Sequence, residues 1–291
     1  MPRPLTLLDP PPVPPDVSGL SWWDEFSPPW CQLVADRPVD GARTAQLARW
    51  EVMRRGEVVP VRVSGNTPLQ NVGGVSTRTW EANNRRSQLW NPLTWQRLPL
   101  QPKVWISTNN DHTAFLIDRD RGLYYEASAM GPIGLGYQWR ADLVRVFDLN
   151  RDWRAQGGSI SASRIPTWAL TPTVEGLSRG VGGIRRALPL VAAGYGGPGR
   201  WLDPSRGTDG YIVGHPLWNG TRLRFTQAAY ERLLAEAQNP QDEAFAWAGR
   251  YVGFIVVDKT SEDAGHAVRM SKSPLLAVTC EFTLTDLEVL T

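Results

Sequence analysis

Eight residues of kinds that act on sugars are scattered along the chain: Asp111, His112, Tyr125, Glu126, Trp139, Asp209, His215 and Arg224. The carboxylates Asp111, Glu126 and Asp209 are the candidate catalytic groups. Two of them could cleave a glycosidic bond if held about 5 Å apart for retention or about 6.5–9.5 Å apart for inversion. His112 with Tyr125 offers a base for lyase chemistry, in which an arginine neutralises the uronate. Without catalysis, Tyr125, Tyr137, Trp139, His215 and Arg224 could still hold a glycan, because an aromatic face with a polar rim stacks on a sugar ring. An ordinary reading covers the same residues. Asp-His at a strand entry is turn chemistry, and Tyr-Glu alternates between the two sides of a strand. The non-catalytic reading is preferred.

Other chemistries find less. No phosphate loop, GxGxxG, GxSxG or HExxH occurs in the sequence. Only three histidines and two cysteines, Cys31 and Cys280, are present, without metal-ligand spacing, so neither a metal nor a cofactor is expected. The cysteines lie at opposite ends and read as buried thiols rather than a disulfide framework. With 31 basic and 29 acidic residues the net charge of +2 is too balanced for a nucleic-acid partner. No apolar run approaches the ~20 residues of a membrane span, and the opening MPRP does not resemble a secretion signal. Fourteen tryptophans suit a core of β-strands, with a minority left to anchor interfaces.

Positioning such residues calls for strands. The stretch 251–257 is apolar and β-branched nearly throughout, which marks a central strand covered on both sides. TRLRF at 221–225 alternates, with Leu223 inward and Arg222 and Arg224 toward solvent or ligand. Asn219-Gly220 before it predicts a type I′ hairpin turn. Between these strands, 226–237 has helical spacing, and a second helix is expected to begin near Gln241 and stop at Gly249. Upstream, 49–53 and 58–63 read as a hairpin about Arg55-Gly56, and 103–107, 113–117 and 123–127 as a meander turning at 118–122. Residues 127–158 are rich in glycine and read as loops, and 275–284 as a final strand. The whole predicts an all-β, jelly-roll-like sandwich with a few short helices over residues 19–291, in which 19–100 could form a subdomain.

The order of several segments resembles the C-terminal region of minor tail proteins of actinobacterial phages, a region shared with secreted bacterial polysaccharide-related jelly-roll proteins. The segments are Trp139, SRIP at 163–166, EGLSRG at 175–180, Ile184, Ala187-Leu188, Trp201, TDG at 208–210, GTRLRF at 220–225 and YVGFIVVD at 251–258. Together they span about half of the chain. Where that family usually has a histidine before the Ala-Leu pair, this chain has Arg186. The resemblance implies a structural component of a virion tail at or near its tip, synthesised in the host cytoplasm, oligomeric in the assembly and bound to other tail proteins. It also implies contact with host surface polysaccharide. The alternative it leaves is a glycoside hydrolase or lyase on the same fold.

Residues 1–18 carry seven prolines and favour polyproline II. Leu5, Leu7, Leu8 and Val13 within this arm are expected to meet a partner chain in the assembly.

Overall fold

The computed structural model describes residues 34–58, 60–73, 96–100, 106, 112–133, 138–156, 158–172, 174–193, 196, 199–260, 265–271 and 275–291. The arm at 1–18, Cys31, Asp111, Tyr137, the expected strand at 103–107 and part of the glycine loop at 194–199 lie outside them, apart from Ile106, Gly196 and Gly199. The chain is mostly β-sheet with few short helices. Among the described residues no helix is long and apolar enough to cross a membrane.

Three sheets stack face to face. The first orders its strands β1 (Val52–Val58), β13 (His266–Ser271), β10 (Leu188–Ala193), β12 (Phe254–Thr260), β11 (Arg222–Phe225) and β14 (Leu287–Val289). The second runs β2 (Pro60–Val63), β5 (Ala114–Asp118), β6 (Leu123–Ser128) and β9 (Leu143–Asp148). The third runs β4 (Gln96–Pro99), β3 (Leu69–Gly73), β8 (Gln138–Arg140) and β7 (Gly131–Ile133). Each contains a parallel ladder: β1 with β13 and β10 with β12 in the first, β2 with β5 in the second, β3 with β8 in the third.

Side-chain alternation shows how the layers meet. On β10, Leu188, Leu190 and Ala192 join one core, and Val191 joins another. Of the described helices α1 (Gly41–Thr44), α2 (Thr167–Leu170), α3 (Val174–Ser178), α4 (Gln227–Glu236) and α5 (Pro240–Tyr251), the last two enclose the first core against the six-stranded sheet. The second sits between that sheet and β5, β6 and β9, through Phe115, Ile117, Tyr124 and Phe147. The opposite faces of β5 and β6, with Leu116, Tyr125 and Ala127, meet Val72, Leu98 and Trp139 of the third sheet. A helical layer and three sheets are thus held by three apolar cores. Period-two strands achieve this because each offers a different apolar set to either side.

Several expectations hold at this level. β12 is an interior strand, the expected pair 113–117 and 123–127 forms as β5 and β6, and the turn between them carries Gly122 at φ +66°, while the other neighbours of the pair are β2 and β9 rather than 103–107. The helix at 226–237 is α4, where the Thr226 hydroxyl accepts from the Ala229 N–H at 3.1 Å. Thr226→Ala should cost about 1 kcal/mol in urea unfolding, the usual worth of such a cap. Pro240 opens α5 at a position where a missing N–H is harmless, and the Asn239 side chain caps it.

Others are corrected. The chain does not turn back between 49–53 and 58–63: β1 and β2 belong to different sheets, each paired in parallel with a distant strand. The expected hairpin is therefore absent, and the described part of 19–100 supplies strands to all three sheets. α5 does not stop at Gly249 but runs to Tyr251 and ends before Gly253, which has φ +80°. Gly249 is inside the helix for space, since a Cβ there would lie 2.2 Å from the Phe225 ring. The turn at Asn219-Gly220 is real, closed by Thr221 N–H to Trp218 O at 2.8 Å. Only Gly220 has positive φ, however, and Asn219 bridges in parallel to Trp201, so no I′ hairpin forms. The glycine-rich 127–158 supplies β7, β8 and β9 rather than loops alone.

The expected strand at 275–284 is the most informative failure. It makes a single antiparallel bridge just before β1, at Glu51 and Thr283, flanked by Val52 N–H to Phe282 O and Leu284 N–H to Trp50 O. Upstream, its N–H groups go to side chains at the start of α5. Asp242 Oδ1 accepts from Thr279 at 2.5 Å and from Cys280 at 3.2 Å, and Gln241 Oε1 accepts from Ala277 at 2.8 Å. Fixed acceptors on a helix outcompete a strand edge for these donors.

Candidate functional site

Glu126 is the first candidate to trace. It lies on the β6 face opposite Tyr125 and is fully buried. Its Oε1 accepts from the Tyr124 hydroxyl at 2.8 Å and the Thr167 N–H at 2.7 Å. Its Oε2 accepts from the Ser159 hydroxyl and from the Ile160 N–H at 3.0 Å. Thr167 opens the short helix α2 (Thr167–Leu170), directly after the SRIP segment. That segment is tied to β12 by Ser163 N–H to Val257 O at 3.1 Å. Burial raises the Glu126 carboxyl above its ordinary value, and the four donors work against that rise. Tyr124 beside it is raised well above its ordinary value, by burial first and then by the Glu126 charge. Such a carboxylate fastens the second sheet to the 159–170 segment, and no substrate reaches it. As a catalytic acid, Glu126 is corrected to a structural anchor.

Arg224 is corrected in the same way. Arg222 and Arg224 are both buried, so the alternation of β11 does not open one side to solvent. The Arg224 Nε donates to Glu288 Oε1 on β14, and its Nη1 donates to the carbonyls of Val34 and Ala35. Arg250 reaches the same Glu288 oxygen at 3.1 Å and the Phe225 carbonyl at 2.7 Å. Two guanidinium groups on one carboxylate clamp the sheet edge to α5 and to the segment before β1.

Tyr125 and Trp139 do come together, but inside the third core, at 4% and 6% exposure. Neither face is free to stack on a sugar. Burial raises the Tyr125 hydroxyl, helped by Asp118, with Arg121 acting against them. Asp209 and His215 lie in the long loop between β10 and β11 and are half-buried. His215 Nδ1 accepts from the Leu217 N–H at 3.1 Å, and burial depresses its pKa, so it stays neutral near pH 7. His112, an expected base, is exposed with φ +42° at the entry to β5. The candidate residues that the structure describes are thus spread over β6, β8, β11, the entry to β5 and the loop before β11, with Glu126, Tyr125, Trp139 and Arg224 buried.

An actual concavity lies elsewhere. A groove of about 760 Å³ opens beside the first strand of the six-stranded sheet, between 49–54 and 280–286, with Arg232 of α4 at its end. Its walls carry Arg49, Glu51, Arg54, Glu281 and Asp286, and its inner side Cys280 and Phe282. Arg232 is paired with Asp286 at 3.1 Å and with Glu236 at 3.0 Å. Cys280 is a buried free thiol pushed up to about 12, by burial first and then by Asp242, so it is a poor nucleophile at neutral pH. Asp242 is the organiser: burial works to raise its carboxyl, hydrogen bonds from Thr279 and Gln238 outweigh that, and it ends below its ordinary value. Sequence reasoning missed this groove. It exists because 275–280 follows α5 rather than β1, and nothing in the local pattern of 275–284 reveals that.

Among the described residues no three His, Cys, Asp or Glu side chains are grouped so as to hold a metal ion. No family model, no curated protein and no solved structure matches this chain.

Proposed function

We propose that the chain is a structural component of a phage virion, a minor tail protein at or near the tail tip whose surface meets host glycan. Its support is the ordered set of segments from Trp139 to Asp258 that resembles such proteins. The observation that favours this reading over the polysaccharide-active enzyme is the state of Glu126 and Arg224. Both are fully engaged in holding layers together, as expected of a scaffold. The jelly-roll order is the finer part of the reading, and the parallel ladders in every sheet do not carry it, since a jelly roll is built of antiparallel Greek keys. Oligomeric assembly and partner tail proteins belong to the same proposal.

Mass spectrometry of purified particles tests it, with the chain expected among their components. Its absence from particles would end the virion reading. Incubating the full chain with host arabinogalactan and peptidoglycan tests the enzyme. New reducing or unsaturated ends that persist in both Glu126→Ala and Asp209→Ala would mean catalysis at residues other than these two.

A further inference from the structure

The groove beside β1 has the features of a site for another polypeptide strand. In a β-strand the N–H and C=O of one residue point to the same edge, and those of the next residue to the other. The Val52 N–H points outward to Phe282, so the odd residues of β1 face β13 and the N–H and C=O of Arg54 face outward as well. There they would continue the ladder with Cys280. The N–H of Cys280 is instead held by Asp242 at 3.2 Å, and the ladder ends after its one rung. Among the described residues an open stretch of strand edge therefore borders the groove, and such edges accept added strands.

The groove also states a charge preference. Arg54 lines it and is half-buried, and its Nη1, out of contact with solvent, has no hydrogen-bond partner among the described residues. A guanidinium N–H left so is costly, and a carboxylate is the group that satisfies it best. At the rim, Trp50 and Met53 are exposed to 48% and 44%, offering apolar surface to side chains of an added strand.

We propose that β1 binds an extended peptide segment of another protein by strand addition, with an Asp or Glu side chain of that segment on Arg54. The edge groups favour a peptide over an acidic glycan, which offers no alternating amide and carbonyl groups. The inference is independent of the virion reading and stands or falls without it.

The probe is a displayed library of random dodecapeptides selected on the full chain, with enriched peptides remade and measured by fluorescence anisotropy. Enriched peptides are expected to share an acidic residue. Affinity should fall at least tenfold when that residue becomes its amide, when the peptide backbone is N-methylated beside it, and in Arg54→Gln at unchanged thermal midpoint. Glu281→Arg, an exposed change on the groove wall, should raise affinity several-fold and serves if Arg54→Gln does not fold. Failure to enrich any peptide, or peptides that ignore both substitutions and methylation, would overturn the proposal. So would Arg54-dependent binding of oligogalacturonate in place of peptide.

Discussion

Glu126→Gln is expected to destabilise the chain by about 3 kcal/mol in urea unfolding at pH 7, the range for a buried donor left facing another donor. The geometry leaves no way out. Each carboxylate oxygen accepts one backbone N–H, from Thr167 on Oε1 and from Ile160 on Oε2. The hydroxyls of Tyr124 and Ser159 can rotate to accept from an amide, but a backbone N–H cannot. Either setting of the glutamine therefore puts its NH2 against one of the two. A loss below about 0.5 kcal/mol would show that Glu126 is not the anchor described. A catalytic acid would behave oppositely, losing activity at unchanged stability.

Acidification is expected to reveal His266. It is 3% exposed, its Nδ1 accepts from the Ala193 N–H at 3.2 Å, and its edge faces Trp50 at 6.0 Å between ring centres. Burial, and secondarily His215, pushes it down to about 4. A histidine depressed in the folded state binds fewer protons there than in the unfolded chain. Its contribution is then complete above about pH 6.5 and is lost progressively as pH falls toward 4, up to about 3 kcal/mol for a shift of this size. Glu126, raised in the fold, has the opposite sign, and its contribution falls as pH rises from the ordinary carboxyl value through its folded one. Asp242 is depressed, and its contribution goes only below the ordinary aspartate range. Comparison with His266→Gln isolates the histidine, because the other groups are common to both proteins. Urea midpoints of the two should diverge between pH 6.5 and 4, with the natural chain falling faster. Parallel curves would sink the assignment.

The elements legible in the sequence were those whose signal is local. Phe254 to Val257 read as a covered strand because every residue is apolar, and both faces do meet a core. The helix at 226–237 was read from the spacing of its apolar residues, and Ala229 and Leu233 do join the first core. What was not legible depended on groups far away in the chain. Arg224 alternates as a solvent-facing residue would, but the carbonyls of Val34 and Ala35 and the carboxylate of Glu288 enclose it. Glu126 has the look of a catalytic carboxyl until its donors at 159, 160 and 167 are known. Residues 275–284 have a strand's composition, and only the position of Asp242 and Gln241 removes them from the ladder. β1 and β2 are adjacent strands in sequence, and no local feature says that they enter different sheets.

The parallel ladder of β1 on β13 also sets an order on synthesis. Val52 pairs with His266, so 266 − 52 = 214 residues must be added after the first before the second exists. At about 5–20 residues per second on the ribosome this is a wait of roughly 10–40 s. During that time Val52, which belongs to the first core, has no sheet to cover it. The β5–β6–β9 meander, closed within residues 114–148, has no such delay and can form while the chain is still growing. The six-stranded sheet is therefore completed last, after translation has reached β13 and β14, and a chain truncated within β13 would carry the second and third sheets, whose strands all lie before residue 149, beside an unfinished first sheet.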